Sequence, residues 1–380
     1  MRRYVDPYPF DPEEERPLTP EQERLYTASQ WRLVWMRFRR HKLAVISLWV
    51  LALLYGSILV TEFIAPYTLD SRHSSHVYAP PQPIRLFHEG EFVGPFVYPL
   101  SFELNMETMQ REYTVDRSEP QPLRWFCRGE PYRFWGQVEA DRHLMCPPED
   151  GTAFLLGTDR LGRDMLSRIL HGARISLTIG LFGVAVSFVL GVTLGGLAGY
   201  VGGLIDAAIQ RVIEIIRSFP VIPLWMALSA ALPVSWDPLW VYFGITIILG
   251  LVDWPGLARA VRGRILSLRE EDFAQAAIFM GARPRRVIGR HLVPSFASHL
   301  IASVTLAIPT MILGETALSF LGLGLRPPIT SWGVLLTEAQ NINAVALYPW
   351  LMLPVVPVIL VVLAFNFVGD GLRDAADPYS

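Results

Sequence analysis

The chain has 380 residues, with 33 basic against 35 acidic side chains and a net charge of −2, so no overall charge bias points to nucleic acid. Hydrophobic residues reach 51% and charged ones only 18%, with mean hydropathy +0.32, where soluble domains carry roughly 25% charged residues; the composition argues for an integral membrane protein. Lys42 is the sole lysine, which excludes a GxxxxGKS/T phosphate loop and hence a Walker-type ATPase in this chain, and two cysteines exclude a four-cysteine zinc site or an iron–sulfur cluster.

Residues 1–42 form a charged leader whose amphipathic end carries Arg37, Arg39, Arg40, His41 and Lys42. A bilayer core about 30 Å thick needs roughly 20 apolar residues per helix. The first such stretch is 43–66, interrupted only by Glu62. It starts beyond residue 40 and is too long for a signal-peptide core, so it reads as a retained helix.

Residues 67–157 read as a soluble insert of short strands and turns, because ten prolines separate short aromatic runs such as Phe96-Val97-Tyr98. Both cysteines fall here. A Cys127–Cys146 disulfide would close a loop of about 20 residues and contribute ~3 kcal/mol; two free thiols are the alternative. His143 with Cys146, and His73 with His76, each have half-site metal spacing, but further ligands at short spacing are missing and no metal site is expected.

Five further apolar stretches follow: 175–201, 204–232, 239–257, 296–323 and 347–368. In the first of these Gly191, Gly195, Gly196 and Gly199 recur every three to four residues, a small-residue face that lets a neighbouring helix approach closely. The next opens with Asp206, Arg211, Glu214 and Arg217, where Glu214 is spaced to pair with both arginines; this is either an amphipathic turn against a neighbour or an ion or substrate relay. Glu315, late in the fifth stretch, faces either a pathway or the outer interface.

Between the fourth and fifth stretches lies a basic segment, 269–294. Glu270, Glu271 and Asp272 crowd the positive end of a helix, Ala274, Ala276 and Ala277 keep it slim, Gly281 ends it, and Pro284 opens a second helix before Pro294 and the next span. Basic residues here and before the first span place both segments in the cytoplasm, with the insert outside and both termini inside. The expected fold is an all-α polytopic membrane protein of six transmembrane helices with a strand-rich outer insert.

The run Gln275-Ala-Ala, Gly281 and Arg290-His-Leu-Val-Pro294 resembles the "EAA" loop of binding-protein-dependent ABC transporter permeases. Residues 156–168 (Leu-Gly-Thr-Asp-Arg-Leu-Gly-Arg-Asp-Met-Leu-Ser-Arg), 314–324 with Ser331-Trp-Gly333, and 369–378 resemble the second, C-type permease subunit of dipeptide and oligopeptide importers. The resemblance implies a type I ABC importer permease fold, with a permease core over 158–369 and a cytoplasmic tail over 370–380. It implies an ATPase contact made by Glu270, Glu271, Asp272, Ala274, Gln275, Ala276, Ala277, Gly281, Arg285, Arg286, His291 and Pro294. A binding-protein contact at Gly157, Asp159, Arg160 and Arg163 is also implied, with a structural cap over the pore mouth as the alternative.

The implied partners are a homologous second permease subunit, two ABC ATPase subunits that hold ATP and Mg, and a soluble solute-binding protein, all at a bacterial or archaeal cytoplasmic membrane. No cofactor and no nucleic acid belong to this chain. Gln275 stands where the loop's usual glutamate would be, and the outer insert is longer than is standard. Two other classes compete. An ion-driven carrier or channel would want mid-span charges and an internal repeat, which is not evident, and an intramembrane hydrolase would want a nucleophile–base pair or an HExxH motif, which is absent.

Overall fold

The computed structural model describes residues 28–107, 110–149 and 151–376; most of the leader and the last four residues of the tail lie outside it. A short helix, Gln30–Phe38, buries Phe38 and is followed by His41, whose Nδ1 accepts from the Ala44 amide at 3.1 Å and starts the first span.

Among the described residues, five helices are long and apolar enough to cross a bilayer: Lys42–Leu59, Met165–Val201, Pro238–Leu268, Ala297–Phe320 and Pro349–Ala376. The expected continuous span over 204–232 is instead two helices, Gly203–Arg217 and Val221–Ala230, bent by 88°. Pro220 lacks an amide hydrogen and disfavours helical backbone at Phe219, so the break falls where the chemistry demands it although the apolar run continues. Counted as one crossing, the bent pair brings the number to six.

The centre of the bundle is the contact between Met165–Val201 and Pro238–Leu268. A Cβ on Gly195 would come within 2.9 Å of the Ala258 Cα, and one on Gly199 within 2.8 Å of the Arg262 carbonyl, so these backbones touch only because side chains are absent. Among apolar helices surrounded by lipid, such close van der Waals packing substitutes for the hydrophobic drive. Gly196 points elsewhere, towards Ile288 of the loop after the fourth span.

Among the described residues of the insert there are three antiparallel groups: Arg85–His88, Glu91–Val97 and Gln121–Pro122; Leu100–Asn105 with Gln110–Val115; and Arg124–Phe134 with Val138–Cys146. Cys127 and Cys146 are joined by a disulfide across the third hairpin. That hairpin is fastened to the ends of two spans. Trp135 donates its indole N–H to the Leu59 carbonyl at 3.0 Å, His143 lies between the Ala65 and Glu130 carbonyls at 2.7 and 2.9 Å, and Arg174 grips Glu62 with two bonds of 2.7 and 2.8 Å. Of the pairs singled out for metal spacing, Cys146 is bonded to Cys127, and the rings of His73 and His76 pack on Phe154.

Candidate coupling loop and the opposite polar face

The loop begins where the Pro238–Leu268 helix stops. Gln275 donates its side-chain amide to the Arg269 carbonyl at 2.9 Å, satisfying one of the helix's orphan C-terminal acceptors. An ionised glutamate could not donate that bond, so the exchange of charge for amide has a local structural use. Glu270 pairs with Arg269 at 2.9 Å, Glu271 occupies the N-cap position, and Asp272 opens the helix Asp272–Phe279.

Ala274 is buried against Val261, Ile265, Val287, Leu292 and Phe296, and Ala277, one turn on, is buried too. Ala276 lies on the exposed side, so the alanine run serves two faces. Gly281 then adopts φ +80°, with its own amide bonded to Ile278 at 2.8 Å and that of Ala282 to Ala277 at 3.1 Å, the glycine-dependent ending of a helix. The second helix expected after Pro284 is shorter than supposed: Pro284–Arg286 gives way to a π-helical turn, Val287–Leu292, containing His291, and Pro294 lies in Val293–Ser295 before Ala297–Phe320.

The fold leaves an apolar tip in the open. Phe279 is 85% and Met280 81% exposed, as are Phe273 and Ile278 to a lesser degree, and Arg283, Arg285, Arg286 and Arg290, which follow in the chain, are exposed too. Sequence reasoning concentrated on charges and alanines and passed over Phe279 and Met280; their place directly before the helix-ending glycine was the available signal.

At the other end of the bundle, segment 157–168 is mostly interior. Asp159 is 0% exposed and accepts from Arg163 at 2.7 Å, from Arg168, and from the amides of Leu161 and Arg163. Thr158 accepts from the Ala79 amide, donates to His76, and its carbonyl takes the Trp350 indole N–H at 2.9 Å. Asp164 caps the Met165–Val201 helix through Ser167, while burial pushes its carboxyl up to about 6. Burial likewise raises the Glu338 carboxyl, and neighbouring Asp159 adds to the effect. Of the four residues expected at a binding-protein contact, Gly157 and Asp159 are buried and Arg163 half-buried; Arg160 alone is open to solvent, 3.5 Å from Glu338.

Glu315 is also fully buried, and the hydroxyls of Ser176, Ser319 and Ser331 lie 3.2, 2.7 and 2.6 Å from its oxygens. It faces neither an open pathway nor an interface within this chain; it ties the Trp332–Leu336 turn to two spans. Glu214 pairs with Arg211 at 2.8 Å and Asp206 with Arg262 at 2.6 Å, whereas Arg217, expected to share Glu214, has no ion pair among the described residues.

Two family models match: the binding-protein-dependent transport system inner membrane component over residues 191–379, and the N-terminal transmembrane domain of oligopeptide transport permease C over 29–81. The oligopeptide transport system permease protein OppC of Haemophilus influenzae is 40% identical over 64% of this chain and 74% of its own length. The dipeptide transport system permease protein DppC of Lactococcus lactis is 31% identical over 90% of this chain and 89% of its own, and the glutathione transport system permease protein GsiD of Pectobacterium atrosepticum 39% identical over 60% and 73%. With both ends of the chain matched in order and the 269–294 loop inside the longer match, the chain belongs to the binding-protein-dependent ABC importer permeases, as a C-type subunit of the dipeptide and oligopeptide branch.

Proposed function

We propose that the chain imports peptides or solutes of similar size as half of a pore whose other half is a homologous permease subunit. Two ABC ATPase subunits, binding ATP and Mg, sit against the 269–294 loop, and a soluble binding protein delivers solute at the opposite end. The observation that carries this reading is the exposed tip of Phe279 and Met280 in a segment of exposed arginines, a combination that suits an apolar groove edged by carboxylates. The tip sits on a helix packed against the ends of two spans through Ala274, so displacing it moves the bundle as a rigid body. Glu270, Glu271, Asp272, Gln275, Arg285, Arg286 and His291 shape or rim that contact, and Arg160 is the residue of the 157–163 loop placed to meet the binding protein.

In this reading the 269–294 loop, the leader before residue 43 and the tail after 369 are cytoplasmic, and the 67–157 insert is outside. The test is a pair of labels and a pull-down. Met280→Cys should resist an impermeant thiol reagent on intact cells while Arg160→Cys reacts, and Phe279→Asp should strip the ATPase subunits from the purified complex. Labelling of Met280→Cys from outside, or full ATPase retention by Phe279→Asp, defeats the proposal.

A further inference from the structure

A cavity of about 180 Å³ lies between the Met165–Val201, Pro238–Leu268 and Ala297–Phe320 helices, where the bent third element also arrives. Its walls are mostly apolar, but Ser187, Arg217, Asp253 and Ser303 also line it. Asp253 is half-buried at the centre of its helix, and Arg217, which is exposed, ends the helix Gly203–Arg217 at the 88° bend. Among the described residues neither side chain has a hydrogen bond or a salt bridge, so the two opposite charges share a wall and act on each other through space without direct contact.

The arrangement is built rather than incidental. Gly256 lies one helical turn beyond Asp253, and a Cβ there would stand 2.8 Å from the Arg217 Nη2. The missing side chain is what lets the guanidinium lie along the same helix face. Isolated charges at membrane depth are costly and are retained where they meet a cargo, an ion or each other. Here the two meet without touching, and apolar groups and two hydroxyls line the rest of the cavity.

We infer that this cavity is a way-station for a short zwitterionic peptide, Asp253 taking a free ammonium and Arg217 a free carboxylate. The inference rests on the peptide-import reading and names the site within it. Extended peptide advances ~3.3–3.6 Å per residue, so a two-residue peptide carries its two charged ends only ~7 Å apart. Ser187 and Ser303 supply hydroxyls for the peptide group between them.

The test uses the importer assembled with its partner subunits in nanodiscs, without binding protein, titrated with radiolabelled alanyl-alanine and with its N-acetyl and C-amide derivatives. Asp253→Asn and Arg217→Gln should each weaken alanyl-alanine binding at least tenfold, and Asp253→Glu should restore most of it. Asp253→Asn should leave the already weak binding of the N-acetyl form unchanged, and Arg217→Gln that of the amide. Equal affinity for alanyl-alanine in wild type and both variants, or none in wild type, overturns the site. The wild-type particles separate this from the broader reading: failure of a binding protein to stimulate their ATP hydrolysis counts against import itself, whatever the binding data say.

Discussion

The two ends of the molecule handle polar groups in opposite ways. At the 157–168 end charges are interior and answered: Asp159 holds two arginines and two amides, and Glu315 lies against three serine hydroxyls. At the 269–294 end arginines stand in solvent and the largest apolar side chains stand out with them. Buried charges without partners are strongly penalised, so the first end is stiff and tolerates little change, whereas the second gains its energy only when something covers it. One end is made to be held and the other to be gripped. Substitutions should therefore separate into those that loosen the protein and those that disconnect it.

The sharpest disconnection is Gly281→Pro. The residue's φ of +80° is closed to proline, and the ring removes the amide that bonds Ile278. Binding-protein-stimulated ATP hydrolysis should fall to the unstimulated level while insertion and the thermal midpoint of the spans hold. Retained stimulation would show that the tip transmits no motion.

The largest loosening should come from Asp159→Ala, which leaves Arg168 buried without its carboxylate. Breaking such a pair costs about 3–5 kcal/mol, visible as a lower thermal midpoint with reduced yield of the assembled complex. A smaller loss, ~3 kcal/mol, is expected for Cys127→Ser with Cys146→Ser, because the 19-residue separation constrains the unfolded insert. That variant should expose the insert to protease yet leave ATP hydrolysis coupled. If it uncouples the complex, the two ends are not as independent as their chemistry suggests.

Much of this division was legible in the sequence where periodicity carries it. Gly195 and Gly199 announce a close helix contact by spacing alone, and Gly281 and Pro284 mark the turn of the loop. Glu315 was visible as an acid in an apolar run, but its partners are 139 and 16 residues away as well as one turn along, and only the fold brings Ser176 and Ser331 to it. Asp159 reads as a surface residue because its neighbours are polar; its burial follows from the packing of Ala79 and Trp350 around Thr158, contacts separated by tens to hundreds of residues. The break at Pro220 was written in the chain, yet hydropathy averages over a proline and runs straight through it. Gln275 shows a further limit: its role depends on a carbonyl six residues earlier being the end of a helix.

The finest distinction between the ends is in their response to pH. Asp164 caps a helix but is buried, and its carboxyl titrates near about 6 rather than the ordinary 3.8. A carboxyl raised in the folded state stabilises the fold below its ordinary value and withdraws that support as pH rises through the raised one. The loss is at most ~3 kcal/mol between pH 4 and 6.5. His73 and His76 oppose it: burial lowers both, so their contribution is present above pH 6.5 and fades as pH falls. A raw profile would mix the two slopes. The difference between wild type and Asp164→Asn isolates the carboxyl, because asparagine keeps an oxygen for the Ser167 amide and hydroxyl but carries no charge. The thermal midpoint of Asp164→Asn should exceed that of wild type at pH 7 and converge with it near pH 4. A constant gap across that range would mean that the cap alone, and not its burial, sets the stability of this end.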